Sequence, residues 1–369
     1  MTTTNKTRFG GALAAVMLLA VACTPAGPGT TPAPVPGTPA PGTPAAGTPS
    51  GEGFHLGVTN TIAGNGWREE MVCSIRAQAL VSGDVDQLTV AHRNTDAQGQ
   101  LEDIRNLIAA GVDAIIVNPA SPDAVNAALQ EAIDQGIIVV SVDQAVTLED
   151  AYLLANNQEE YGYLGASWLF EQLGGEGDVV YMRGAAGATA DDDRHRGWER
   201  ALAENPGINV VFSQHTGWDQ TVGVQQINDF LATGQNYDGI WTSGIDNVIV
   251  EALQAGNHNL VPIVGADNAG FVEQLQTVEG LEGAAVTNPA SVGGAGVTLA
   301  VQILNGQEPA DPHVLVDPEV WENTSAEGQA TIDEAFDPEI DPTWPLGIHI
   351  PDWTTYTKEQ ILACQGPGE

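Results

Sequence analysis

The chain has 369 residues, 43% of them hydrophobic, with 48 Asp and Glu against 11 Lys and Arg and a formal net charge of −37 at pH 7. The apolar content supports a large core, and the length supports two or three domains. The charge excludes partners held chiefly by Lys and Arg, which sets aside nucleic acid and anionic lipid surfaces.

The segment MTTTNKTRFGGALAAVMLLAVAC has a basic start (Lys6, Arg8), an apolar run from Gly11 to Ala22 and small residues before Cys23. It reads as a secretory signal over residues 1–22, too short to span a bilayer. Its LAVAC ending resembles a bacterial lipobox, which implies lipidation of Cys23, although Ala20 stands where that pattern prefers Leu. Residues 23–53 follow as a linker in which Thr, Pro, Ala and Gly dominate, a composition that buries too little apolar surface to fold. Extended, it would reach roughly 90 Å at about 3 Å per residue. The expected location is therefore extracytoplasmic, anchored by lipid to a bacterial membrane.

Cys73 and Cys364 remain. In an oxidising compartment they are candidates for a disulfide pinning the C-terminal tail to an early helix; two free buried thiols are the alternative. No CxxC, HExxH or zinc-spaced Cys/His cluster occurs, so neither a metal nor a cofactor is expected.

From Phe54 onward β-rich runs alternate with helical stretches. The runs are FHLGVTN, LTVAHRN, AIIVNP, IIVVSVD, AYLLANN, DVVYMRG, INVVFSQH, GIWTSG, VPIVGAD and AAVTNP. One intervening stretch, SPDAVNAALQEAIDQG, predicts a helix capped by Ser121, with Pro122 in its first turn and Gly136 as its stop. Apolar runs separated by helices indicate parallel strands covered on both faces, hence a doubly wound α/β class. Ten strands are many for one core, and two α/β lobes are the natural division.

The runs end in polar residues: Asn60, Asn118, Asp143, Thr216, Asp267 and Asn288. The tetrapeptide NPAS recurs at 118–121 and 288–291, both times where an apolar run gives way to a helix. Each such residue alone reads as a cap or Asx turn. Their recurrence at successive strand ends places them around one cleft, since parallel sheets bind ligands beyond the carboxyl ends of their strands. Asp, Asn and Arg can hold adjacent hydroxyls two at a time, and a Trp face covers the C–H face of a sugar. Trp67 and Trp218 follow strands and suit that role, whereas Trp168 and Trp198 lie within helices and read as core. The combination points to a small neutral polyhydroxylated ligand.

These residues carry a family resemblance. From about Phe54 to Val316 the chain is similar to type I periplasmic sugar-binding proteins, the ribose- and galactose-binding group that serves ABC importers. The matching stretches are AGNGWREEM, GVDAIIVNPASPDAV, IIVVSVDQ, GAAGATADDDRHRGWERAL, VPIVGADN and GAAVTNPASVGGAGVTLAVQILNGQ. The resemblance implies two Rossmann-like lobes joined by a multi-strand hinge: residues 54–157 with 288–316, and residues 158–287. Residues 317–369 would be an extension packing across the lobes. It implies ligand contacts from Asn65, Trp67, Asn118 and Asp143 in the first lobe, from Arg194, Trp218 and Asp267 in the second, and from Thr287 or Asn288 at a crossover.

The Arg three residues before Gly197-Trp198 is Arg194, which the resemblance selects for the cleft, with Arg196 as runner-up. Arg200 would make helix-surface pairs, while Asp191, Asp192 and Asp193 favour a helix N-terminus and partner neighbouring arginines. Two contact positions depart from ribose-type proteins: Gln144 stands where they have a second Arg, and Ile245 precedes Asp246 where they have Asn. The sugar need not be ribose. The implied function is a monomeric binding protein that closes around a small neutral sugar or polyol and presents it to an ABC permease, with no catalytic residues. The alternatives are a ligand-sensing module for a receptor and an extracytoplasmic glycosidase using Asp143 and Asp267.

Overall fold

The computed structural model describes residues 53–369; the signal segment, Cys23 and the linker up to residue 52 lie outside the described residues. The first five strands are β1 (Phe54–Asn60), β2 (Val85–His92), β3 (Ala114–Asn118), β4 (Ile138–Val142) and β5 (Tyr152–Asn156). They alternate with α1 (Gly66–Ser82), α2 (Ala97–Ala110) and α3 (Asn126–Ile133). The next five are β6 (Glu176–Arg183), β7 (Gly207–His215), β8 (Gly239–Trp241), β9 (Ile263–Ala266) and β10 (Gly283–Val286). Their helices are α4 (Gln158–Gln172), α5 (Thr189–Glu204), α6 (Gln220–Ala232), α7 (Asp246–Ala255) and α8 (Ala269–Thr277). After β10 come α9 (Val292–Leu304), β11 (His313–Val316), β12 (Val320–Glu322), α10 (Ala326–Ala335) and α11 (Lys358–Ala363).

Two six-stranded sheets result, ordered β11-β5-β4-β3-β1-β2 and β12-β10-β9-β8-β6-β7. All pairings are parallel except β10 with β12. The central strands are largely apolar because helices cover both faces, with β3 and β10 buried along their whole length, whereas the edge strands β2 and β7 carry exposed polar residues. Each sheet has one apolar cluster on either side: Leu56, Ile116 and Val140 against α1 and α9, Ile115 and Val117 against α2 and α3, Val180 and Ile263 on one face of the second sheet, Val179 and Val264 on the other. Full burial of each such side chain contributes about 1.5–3 kcal/mol. This is the two-lobed doubly wound architecture that the run pattern implied.

The chain crosses between the sheets after β5, after β10 and between β11 and β12. These crossovers are tied side by side: Asn157 N donates to Val316 O (2.8 Å), and Thr287 N donates to Glu319 O (2.9 Å). β11 and β12 were not among the ten expected strands. Each is a short edge strand whose partner lies far back in the chain, β5 for the one and β10 for the other.

The helix expected from Ser121 starts instead at Asn126. The Pro122 carbonyl accepts from Thr147 N (2.7 Å), so residues 121–125 stay in a turn that supports the loop after β4. Ser121 donates to Asp123 and caps nothing, while Gly136, at φ +83°, does end the segment.

The C-terminal extension wraps back over both lobes. α10 packs on β12 and α8, and α11 lies against α1, where Cys73 and Cys364 form a disulfide with Cα atoms 4.5 Å apart across a separation of 291 residues. No helix among the described residues is long and apolar enough to cross a membrane.

Candidate functional site

Several helices begin directly after a strand, so the residues that cap them collect at one end of both sheets. Asn65 caps α1, accepting from Arg68 N, and Asn268 caps α8, accepting from Phe271 N. Both line a cavity between the lobes, together with Trp67, Asp143, Arg194 and Trp218. The lobes meet across it: Asn65 Nδ2 donates to Trp218 O (3.3 Å), and Thr189 Oγ1 donates to Ala145 O (3.4 Å).

On the first lobe the indole of Trp67 donates to the backbone carbonyl of Asn288 (2.6 Å), fixing its ring at the cavity edge. Arg68 is buried; it donates to Asn60 Oδ1 (2.9 Å) and pairs with Asp143 at 3.5 Å. Asn60 in turn donates to the Ile62 carbonyl and to His92 Nδ1, and His92 Nε2 faces Glu69 at 2.9 Å. A relay from the surface thus sets the guanidinium. Burial pulls the Arg68 pKa below its usual value, against the opposing charge of Asp143.

On the second lobe Arg194 donates from Nε to Gln158 Oε1 (2.7 Å) and from Nη1 to Ser243 Oγ (2.7 Å), and its guanidinium lies 4.0 Å from the Tyr161 ring centre. Its third nitrogen is 3.0 Å from the Asn288 carboxamide. The close approach of α4 to α5 positions this arginine. A Cβ on Gly162 would fall 2.8 Å from Arg194 Cα, and one on Gly197 2.7 Å from Tyr163 N, so only glycine allows the contact. The indole of Trp218, on a residue at φ +57°, lies over Gly184 and donates to Ser243 (3.2 Å). Gln158 joins the halves, since its amide also donates to Asp143 Oδ1 (3.3 Å).

Of the sequence-selected residues, Asn65, Trp67, Asp143, Arg194, Trp218 and Asn288 line the cavity. Asn118, Gln144, Asp246 and Asp267 lie in the buried layer behind it. Asn118 donates to Asp143 (3.1 Å), and Gln144 donates to Asn118 (3.1 Å), so both support the carboxylate from behind. Asp246 accepts from Thr242, Gly244 N, Ala266 N and Asn268 Nδ2, holding the β8 and β9 loops in register. Asp267 accepts from Asn288 N (2.9 Å) and binds the C-terminal segment through Leu346 N. Burial pushes its carboxyl up to about 7, and Glu70, buried nearby with no hydrogen-bond partner, is raised as well.

The remaining arginines of the cluster stay outside. Arg196 pairs with Asp193 and Glu159, Arg200 with Glu159 and Glu160, and Asp191 with Arg183. Trp198 is core, stacked on Tyr181 at 4.2 Å. Sequence reasoning missed Arg68, Ser243, Asn268, Thr343 and Pro345, all of which line the cavity. Asn268 could have been found by its position directly after a strand; Arg68 sits in a run of charges that reads as a helix surface.

Residues 56–308 match the periplasmic binding protein domain. The chain belongs to that family. It is 28% identical over 235 residues to the xylitol-binding protein of Mycolicibacterium smegmatis, spanning 62% of this chain and 66% of that protein. It is 24% identical over 224 residues to the ribose import binding protein of Salmonella typhimurium, spanning 60% and 75%. Among solved structures, the binding protein of the arabinose ABC transporter from Shewanella sp. ANA-3, bound to L-arabinofuranose, has a TM-score of 0.68 at 24% identity over 76% of this chain and 95% of that one. A solute binding protein from Thermobispora bispora has a TM-score of 0.71 at 20% identity over 84% and 94%. At such identities the structural likeness speaks for the fold. The domain match ends at residue 308, so β11, β12 and the segment carrying Thr343 and Pro345 lie beyond it.

Proposed function

We propose that this periplasmic binding protein takes one small neutral sugar or polyol into the cleft and closes on it for delivery to an ABC permease. The observation that carries the reading is the cavity itself, where two indoles, two buried guanidinium groups and the Asp143 carboxylate converge from both lobes. Planar forks and a carboxylate suit vicinal hydroxyls, and the indoles suit the C–H faces between them. Contacts to both lobes favour the closed state, and closure is limited by the ligand's differential affinity for it. Binding is favoured over turnover by the way Asp143 is held, with Arg68, Asn118 and Gln158 fixing it as a hydrogen-bonding carboxylate. The protein works as a monomer, attached to the outside of the membrane through Cys23 and the linker.

Thermal melting and calorimetry against pentoses, hexoses and polyols test this reading. At least one member raises the melting temperature and binds with 1:1 stoichiometry; a panel without a single shift contradicts it.

A further inference from the structure

The segment Asp341–Gly347 lies outside the matched family domain, yet it supplies Thr343 and Pro345 to the cavity wall. It is bound to the second lobe by its backbone. Ala269 N donates to Trp344 O (2.8 Å), Gly270 N to Pro342 O (2.8 Å) and Leu346 N to Asp267 O (2.9 Å), and Asn268 forms a β-bridge with Pro345. Beyond Gly347 the chain is bound to the first lobe instead. Thr298 donates to Trp353 O (2.6 Å), Thr355 N donates to Gln78 (2.8 Å), and Cys364 is bonded to Cys73. The tip of this strap nevertheless touches the first lobe across the cleft. A Cβ on Gly66, the first residue of α1, would fall 2.5 Å from both Thr343 Cβ and the Thr343 carbonyl oxygen.

We propose that Asp341–Gly347 is a ligand-facing wall of the site that travels with the second lobe and docks on Gly66 at closure, making Thr343, Pro345 and Gly66 determinants of affinity. The inference rests on the reading of the cleft as a sugar site. Backbone bonds tie the tip to the second lobe, while the Gly347 and Ile348 carbonyls accept from Ser291 and Tyr356 on the first lobe, so the change of partner falls between Leu346 and Gly347. The Gly66 contact is the tip's approach to the opposite wall, so it forms and breaks with the cleft. Bulk at Gly66 would therefore disfavour the closed state and lower apparent affinity by the closed fraction lost.

The test uses the full chain as wild type, Gly66→Ala, Thr343→Gly and the double variant. Alanine is the better helix former at this position, so Gly66→Ala keeps the fold. Small-angle scattering with and without xylitol or D-ribose reads closure directly: where the wild-type cleft is closed, Gly66→Ala raises the radius of gyration, and Thr343→Gly in the same chain brings it back at least in part. Calorimetry with xylitol and D-ribose reads the second effect: Gly66→Ala costs about tenfold in the wild-type chain, the scale of modest overpacking, and less in the Thr343→Gly background, which itself binds more weakly. Equal radii in all four proteins, or a Gly66→Ala loss as large in the Thr343→Gly background as in the wild type, overturns the proposal. A wild type that binds neither probe counts against the choice of ligand class, and the scattering arm then decides the strap on its own.

Discussion

The two walls of the cleft each present one buried arginine, and they hold it differently. Arg194 is gripped within its own lobe by Gln158, Ser243 and the face of Tyr161, none of which carries a formal charge. Arg68 is paired with a carboxylate, Asp143, and oriented by Asn60, itself set by His92 and Glu69. A guanidinium held by neutral groups keeps its charge available to a ligand; one already paired adds less when a ligand arrives, but its removal strands a buried carboxylate. The second wall should thus govern affinity, and the first wall should govern affinity and folding together.

Arg194→Ala is the strongest way to break the contrast. It should weaken binding of any sugar found in the panel by about a hundredfold, the loss of charge-assisted hydrogen bonds worth roughly 1.5–3 kcal/mol each, with a smaller effect on stability. Calorimetry and denaturant melts measure the two. Arg68→Met should divide its effect, with affinity down by about tenfold and stability down by roughly 3 kcal/mol as Asp143 loses its partner. Equal affinity losses with no stability difference would erase the distinction.

The smallest effect on binding belongs to the layer behind. Asp267→Asn should leave affinity within about twofold, because the side chain faces Asn288 N and the strap, not the cavity, while changing how stability responds to pH. The folded Asp267 carboxyl titrates at about 7. An unfolded one titrates near 4, so between those values the folded chain keeps a proton that the unfolded chain releases. Its contribution to stability therefore falls as the pH rises from about 4 to about 7 and is level above that. The asparagine variant, which never ionises, should gain on the wild type as melts move from about pH 4.5 to about pH 7.5, by at most roughly 4 kcal/mol. A constant difference across that range would show that Asp267 is ionised in the fold.

Much of this was legible in the chain. The ten expected runs all became strands, because uninterrupted apolar stretches between amphipathic ones leave few other ways to bury both faces of a sheet. Arg194 was legible through the family resemblance, which selects the arginine three residues before Gly197-Trp198; in the structure Gly197 sits at the close contact of α5 with α4. The depth of the site was not legible. Polar residues at strand ends converge on one region, but which of them reaches the cavity depends on packing; of the two NPAS stretches, Asn288 touches the cavity while Asn118 props Asp143 from behind. Arg68 sits between Trp67 and two glutamates, and only burial distinguishes it from a surface cation. β11, β12 and the strap were hidden for another reason, since their partners are remote and their own sequences are short or irregular.

A crystal structure with a bound sugar or polyol tests the account most directly. The account predicts the ligand between Trp67 and Trp218, its oxygen atoms within hydrogen-bonding distance of both Arg68 and Arg194. A ligand seated elsewhere, or one held by a single lobe, would contradict it.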